Sequence, residues 1–301
     1  MVVDVLVVGD ANPDLVLHGD ARPRFGQAEQ LLTGADLVLG GSAAITAAGC
    51  ARLGLDTTLL TALGEDVFGA ITRQHLRDRG VTVELARTEN VPTGLSVILN
   101  PDDKDRAILT LPGTIPALRP QDVTDELLST TRHLHVAALY LQPELAQGLA
   151  DVFARARQAG VTTSLDTNWD PAEHWASITA ILAYTDVFLP NATELRAVTR
   201  EDDVEVAAAK LVAAGTTVVM KNGAAGAKAW NSDGEWAAAG RTVDVVDTTG
   251  AGDSFNAGFL AAMLTGLPVS EAIGWAAVAG SLSTRAAGGT AAQATTADLS
   301  L

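Results

Sequence analysis

The chain has 301 residues, 48% of them hydrophobic and 19% charged, which fills a large core and excludes a disordered or collagen-like chain. At about 150 residues per domain the length fits one large domain or two small ones. Lys and Arg number 20 against 36 Asp and Glu, a net charge of −16; the protein as a whole repels nucleic acid and anionic membrane, and must hold any phosphate with backbone N–H groups, a metal ion or a few placed cations.

Val2–Val8 is short, mostly apolar and β-branched, and predicts a buried strand ending at Gly9-Asp10. Leu15–Leu17 and Ala35–Leu39 flank a polar stretch with Pro and Gly. Ser42–Leu53 is Ala-rich and helical, closed by Gly54; Cys50, the only cysteine, packs among its small residues, which excludes an intrachain disulfide or a multi-cysteine metal site. A strand at Thr57–Leu63 and a helix at Phe68–Arg79 follow. Leu95–Leu99 and Ala107–Leu111 flank Asn100-Pro101-Asp102-Asp103-Lys104-Asp105, a strong turn signal. The two ribbons, about 12–38 and 92–112, predict a small sheet standing off the main one as a lid.

Leu134–Leu139 reads as strand-like, Glu144–Gln158 as helix, Val161–Leu165 and Val187–Leu189 as strands, Val204–Ala213 as helix and Val218–Met220 as strand. A hairpin at Lys228–Ala238 turns on Asp233-Gly234. Thr242–Val246 is again strand-like, and the helix after it carries Phe259 and Met263 on one face and ends at Gly266. Alternation of this kind predicts an α/β fold: a three-layer sandwich with a central, mostly parallel sheet covered on both faces, plus the β lid. No repeat or linker divides it, so one domain over 1–301 is expected. No apolar run approaches ~18 residues, and the start has no basic region followed by a small-residue cleavage site; a soluble, cytoplasmic protein is expected.

In an open parallel sheet, ligands bind beyond the carboxyl ends of the strands. Four such ends carry polar and glycine residues: Gly9–Asp14, Asp166-Thr167-Asn168, Pro190–Glu194 and Lys221–Gly226. The sharpest segment is Asp247-Thr248-Thr249-Gly250-Ala251-Gly252-Asp253-Ser254-Phe255. Gly250 and Gly252 let the backbone approach a ligand closely. The first N–H groups of the helix lack intrahelical partners and carry the positive end of its dipole, an anion site that needs no lysine. Asp253 at that terminus serves as an ordinary capping acid or, beside an anion hole, takes the proton of a hydroxyl attacking phosphorus.

Asp247–Phe255 resembles the C-terminal signature of the PfkB/ribokinase family of carbohydrate and nucleoside kinases. Gly40-Gly41-Ser42-Ala43-Ala44, running on through Ala51-Arg52-Leu53-Gly54 to Leu63–Gly69, resembles its N-terminal signature, and Pro190–Glu194 carries its Asn-x-x-Glu element. The resemblance implies a ribokinase-like kinase that moves the γ-phosphoryl group of ATP to a hydroxyl. It implies Asp253 as base, with the Gly250-Ala251-Gly252-Asp253 backbone as anion hole. Asn12, Asp14, Gly40 and Gly41 would face the acceptor. Asn191 and Glu194 would organise Mg2+ through water, and Lys221, Gly223 and Gly226 would border the nucleotide, with the helix around Ala276–Gly280 along the adenine. A monovalent cation, K+, would use Asp247, Thr249 and the carbonyl of Ala286. An Asp near its ordinary pKa of about 3.9 suits a loose transition state in which the proton leaves late.

Ile45 stands where many sugar kinases of the family carry Asn, which implies a lost hydrogen bond or an apolar acceptor face. The loops Asp10–Asp14, Gly40–Ile45 and Asp166–Asn168 contain no Lys or Arg. An uncharged sugar is therefore expected, with a nucleoside or a non-catalytic sugar-binding relative as alternatives; a phosphorylated acceptor would need Arg22, Arg24 or Arg106 to reach in from the lid. Tyr140, Gln142, Asn168 and Trp169 follow strands and are candidates for the acceptor pocket. His133 and His135 share one strand face at metal-compatible spacing, but without a third ligand they read as core histidines. No G-x-G-x-x-G follows the first strand and no Walker motif occurs, which sets a dinucleotide-binding oxidoreductase aside. Two exposed ribbon edges predict a homodimer through the lid.

Overall fold

The computed structural model describes residues 2–101, 107–175 and 178–299. β1 (Val3–Val8) leads into β2 (Asn12–Gly19) and β3 (Leu32–Gly40), then α1 (Ser42–Arg52), β4 (Thr57–Thr61), α2 (Val67–Arg77) and β5 (Thr82–Leu85). β6 (Leu95–Pro101) and β7 (Ala107–Leu111) follow, then α3 (Asp125–Ser129), β8 (Thr131–Ala137), α4 (Pro143–Gln158), β9 (Thr162–Asp166), α5 (Ile178–Leu182) and β10 (Val187–Phe188). The last third holds α6 (Ala192–Thr199), α7 (Val204–Val212), β11 (Thr217–Lys221), β12 (Ala227–Asn231), β13 (Gly234–Ala238), α8 (Ala251–Leu264), α9 (Val269–Ser283) and α10 (Thr296–Leu299).

The main sheet has nine strands in the order β13-β12-β11-β10-β9-β8-β1-β4-β5. Its pairings from β11 to β5 are parallel, and the β11–β12 and β12–β13 pairings are antiparallel, so that β12 alone is reversed, with the hairpin to β13 turning on Asp233-Gly234. Period-two alternation along β1 sends Leu6 and Val8 to one face and Val5 and Val7 to the other. Leu6 and Val8 share one core with Phe153 of α4 and Ile181 of α5; Val5 and Val7 share the other with Ala47 of α1, Leu260 of α8 and Leu282 of α9. Phe153 and Phe259 are fully buried, one on each side; truncating either to Ala would cost about 3–5 kcal/mol.

The second sheet has the order β3-β2-β6-β7, and its two ribbons join where β2 pairs in parallel with β6. β7 is exposed along its whole length, including Ile108, Leu109 and Leu111. The turn residues 102–106, and with them Arg106, lie outside the described residues.

Two local expectations need correction, and one strand was not read at all. Thr242–Val246 is not a strand: no strand edge pairs with it, and Val245 and Val246 are exposed. Its β-branched composition matched a strand, but β propensity acts only where a pairing partner exists. The strand read over Leu134–Leu139 stops at Ala137, because Ala138 turns left-handed (φ 54°) into a 3-10 turn over Leu139–Leu141. β5 carries a short, polar Thr-Val-Glu-Leu pattern without a legible period.

His133 and His135 are fully buried between β8 and β9. Ser164 Oγ lies 2.7 Å from His133 Nε2 and 2.7 Å from His135 Nδ1, and Thr162 Oγ1 lies 2.7 Å from His133 Nδ1. Burial pushes their pKa values down to about 3 and about 4, so they stay neutral struts. Among the described residues, no group of three or more His, Cys, Asp and Glu is placed to hold a metal ion. No described helix is long and apolar enough to cross a membrane.

Candidate active site

β1 delivers Asp10 to the edge of the sheet. Gly41, the N-cap of α1, has no side chain to offer, so Asp10 caps the helix from another element: its Oδ2 accepts from the Ser42 N–H (3.1 Å) and its Oδ1 from the Ala43 N–H (3.0 Å). Asn12 Nδ2 donates to Asp14 Oδ1 at 2.8 Å. Burial pushes the Asp14 carboxyl up to about 6, against the pull of that bond. A Cβ on Gly40 would overlap the Asp14 carboxylate, and Gly41 sits at φ 90° with its missing Cβ 2.7 Å from the Asp10 carbonyl. The glycine pair is therefore what lets the end of β3 and the start of α1 pack against Asp14 of β2 and the Asp10-Ala11 backbone.

α8 begins at Gly250, left-handed at φ 71°, and has no side-chain cap at its N-terminus. Among the first amides, that of Ala251 is shared with the Thr248 carbonyl at 3.2 Å. A Cβ on Gly250 would lie 2.6 Å from Gly289 Cα and 3.0 Å from Ile45 Cγ2. Ile45, 3% exposed, thus packs behind the helix start between two glycines.

Asp253, in the first turn of α8, is 8% exposed and accepts a hydrogen bond from the Ser42 hydroxyl at Oδ1. Burial, and then the Asp166 charge, push its pKa up to about 7. This corrects the expectation of an ordinary carboxyl: the buried helix start removes the water that would stabilise the anion. Ser42 Oγ also lies 3.2 Å from Asn168 Oδ1, which accepts the Ala138 N–H at 2.9 Å. Asn168 is left-handed (φ 52°). Beyond it, Trp175 stands edge-on to Tyr140 (5.4 Å between ring centres) and to Trp169 (5.1 Å). The Tyr140 hydroxyl is buried without a hydrogen-bond partner among the described residues, and Trp169 is 46% exposed. Gln142 is different: its Nε2 donates to the Ala137 carbonyl at 2.8 Å, and it braces the backbone behind Gly9.

Lys221, at the end of β11, reaches back to β9. Its Nζ lies 2.5 Å from Asp166 Oδ2, which also accepts from Asn256 Nδ2 at 2.6 Å. Burial opposes charge on both partners, but their mutual attraction wins: the Asp166 carboxyl is held below its usual range and the Lys221 ammonium above its own. A Cβ on Gly252 would meet the Lys221 Cδ at 3.5 Å and its Nζ at 3.6 Å, which places the ammonium beside the α8 start. Asn191 and Glu194 form a reciprocal cap on α6, with Glu194 Oε2 accepting the Asn191 N–H at 2.8 Å. Burial, then Asp166, push the Glu194 carboxyl up to about 7; its Oε1 has no hydrogen-bond partner among the described residues.

A cleft of about 500 Å³ opens from Lys221, Gly223 and Gly226 on one side to Phe255 and α9 on the other. Ala277 and Gly280 form its helical wall, with Thr242, Val243 and Val245 opposite. Ala276 is a correction: it is fully buried in the core, one position out of phase with the wall. Asp247 ties two loops together: its Oδ1 accepts from the Thr249 N–H (2.9 Å) and hydroxyl (2.8 Å), and its Oδ2 from the Gly288 N–H (2.9 Å). Ala286 lies in the loop so tethered.

The sequence reading had Asp10 and Ser42 inside the candidate loops Asp10–Asp14 and Gly40–Ile45 but gave neither a role of its own. Both stood in plain view beside glycines, but the contact from one helix start to the other is not encoded by spacing. Asp166 and Asn256 were missed as a pair because they lie 90 positions apart.

The pfkB family carbohydrate kinase model matches residues 3–296. An ATP-dependent ribose-1-phosphate kinase from Halopiger xanaduensis is 33% identical over 281 residues, covering 93% of this chain and 91% of that protein. Among solved structures, Arabidopsis thaliana ribokinase complexed with ribose and ATP is similar with a TM-score of 0.83 at 25% identity, covering 99% of this chain and 98% of that one. An E. coli chain designated ribokinase II, in complex with ATP and Mg2+, shares the fold with a TM-score of 0.88 at 20% identity, covering 99% of this chain and 97% of that one.

Proposed function

The chain belongs to the pfkB family of carbohydrate kinases, and we propose that it transfers the γ-phosphoryl group of ATP to a hydroxyl of an uncharged sugar, with Asp253 as the base. The observation that carries this reading is the placement of a buried carboxylate at an uncapped helix start, joined through Ser42 to the Asp10–Asp14 side of the pocket. In-line transfer asks mainly for alignment and charge stabilisation. Gly250, Ala251, Gly252 and Asp253 supply main-chain dipoles for the migrating phosphoryl group, and Lys221 adds a cation beside them. Asp14 and Asn12 orient the acceptor by its hydroxyls, with Gly40, Gly41, Ile45, Tyr140 and Asn168 bordering it. The cleft between Lys221 and α9 holds the nucleotide, with Ala277 and Gly280 along the base.

The uncharged acceptor rests on electrostatics. Asp10, Asp14 and Asp253 crowd the acceptor side, and the nearby cation, Lys221, is committed to Asp166. An acceptor phosphate would be repelled there. A ribose 1-phosphate acceptor is the second reading, favoured by the relative at 33% identity; its phosphate would call on the lid arginines, of which Arg24 is paired with Asp20. The test is ATP consumption against pentoses, hexoses, keto-deoxy acids, nucleosides and ribose 1-phosphate. Turnover with uncharged sugars supports the proposal, turnover confined to ribose 1-phosphate supports the second reading, and no acceptor-dependent consumption overturns both.

Mg2+ fits at Glu194, whose carboxyl feels the charges of Lys221 and Asp166 and is fixed through Oε2 by the Asn191 N–H; bound there, it would neutralise triphosphate charge. Glu194→Gln keeps the helix cap and removes the charge, so the Mg2+ concentration for half-maximal rate should rise several-fold; an identical titration contradicts the role. Asp247, Thr249 and Ala286 hold a monovalent cation in this reading, so K+ should activate more than Na+, and equal rates without K+ count against it. The exposed apolar strand β7 is assigned to a second copy of the chain, giving a homodimer through the lid. A cytoplasmic location fits an ATP-consuming kinase.

A further inference from the structure

Ser42 opens α1, yet its hydroxyl does nothing for that helix. Capping is done by its main-chain N–H, which Asp10 accepts. The single hydroxyl proton goes instead to Asp253 Oδ1, because a carboxylate is a stronger acceptor than the Asn168 amide oxygen 3.2 Å away, which already takes the Ala138 N–H. Asp253 Oδ2 has no hydrogen-bond partner among the described residues. Two oxygens that are equivalent in a free carboxylate are thereby made different.

Resting on the reading of Asp253 as base, we propose that Ser42 is a positioning residue: its hydroxyl holds Oδ1, fixes the plane of the carboxylate and reserves Oδ2 for the acceptor's proton. In the transfer, the acceptor oxygen forms its bond to the γ-phosphorus as the bond from that phosphorus to the bridging oxygen breaks. The electron pair of the broken bond leaves with ADP, and the acceptor's proton passes to Oδ2. The Ser42 proton stays on Ser42 throughout, and Asp253 returns its proton to solvent after product leaves.

The charged groups facing Asp253 are Asp10 from the end of β1, Asp166 from β9 and Lys221 from β11, with Asp14 and Asp247 farther along the same pocket. All of them stay in place when only Ser42 changes. A hydrogen bond to the ionised form favours that form, so its loss must move the acidic limb of the rate profile upward.

The experiment compares Ser42→Ala, Ser42→Thr and Asp253→Asn, reading kcat, both KM values and the pH dependence of kcat/KM. Ser42→Ala should lose about 10- to 100-fold in kcat, as a charge-assisted hydrogen bond implies. Its acidic limb should shift to higher pH with the KM for ATP unchanged, and Ser42→Thr should restore most of both. If Asp253→Asn is inactive while Ser42→Ala keeps the parent kcat and limb, the positioning role is overturned and the base survives. A loss in Ser42→Ala with an unmoved limb and no rescue by Thr also overturns it, as a purely structural effect. If Asp253→Asn turns over normally, the base itself is wrong and this inference falls with it.

Discussion

Asp253→Asn should lower kcat by about 10²–10⁴-fold, the range for losing a general base, while ATP affinity holds. Asn preserves the shape at the start of α8 and still accepts from Ser42, so the phosphate cradle stays intact. The same substitution should raise thermal stability, and the gain should depend on pH. The folded-state pKa of Asp253 is raised from 3.8 to about 7. The native protein therefore binds a proton that the unfolded chain releases, and the cost of the buried charge grows from about pH 4 and is complete above about pH 7. The melting temperature of the variant should exceed that of the parent by more at pH 8 than at pH 5. A difference that does not vary with pH would show an ordinary carboxyl, and an unchanged kcat would remove Asp253 from the chemistry.

Lys221→Met should be costly for the opposite reason. It removes the cation from an ion pair whose carboxylate, Asp166, is 1% exposed. Breaking one side of such a pair costs about 3–5 kcal/mol, tempered here because Asp166 can take up a proton. The expected result is a melting temperature lower by several degrees together with a raised KM for ATP. Adding Asp166→Asn should recover most of the stability but not the KM, because a neutral amide no longer needs the ammonium while the nucleotide still does. Equal melting temperatures for the parent and Lys221→Met would mean that the pair carries no net stability.

The layers of the fold were legible where the sequence carried a period: the β-branched run of β1, the Ala-rich α1, and the hairpin on Asp233-Gly234. Local period failed at Thr242–Val246, where strand-like residues serve as a cleft wall, and at Ala276, where a one-residue error in helix phase turns a core residue into a ligand contact. Gly250, Gly252 and Asp253 could be read as a helix-start anion site from local geometry, whereas Asp14 and the Gly40-Gly41 pair were singled out only by the family resemblance. Ser42 could not be placed as a partner of Asp253, since 211 positions separate them and only packing of α1 against α8 brings them together. The raised pKa of Asp253 was hidden for the same reason: desolvation is a property of the assembled pocket.

β3 runs without a break into Gly40, Gly41 and then Ser42. In the proposed reading, the strand that borders the acceptor is the same piece of chain that carries the hydroxyl bonded to Asp253. A substitution that shifts β3 should therefore tilt the carboxylate as well, so that acceptor KM and kcat change together rather than separately.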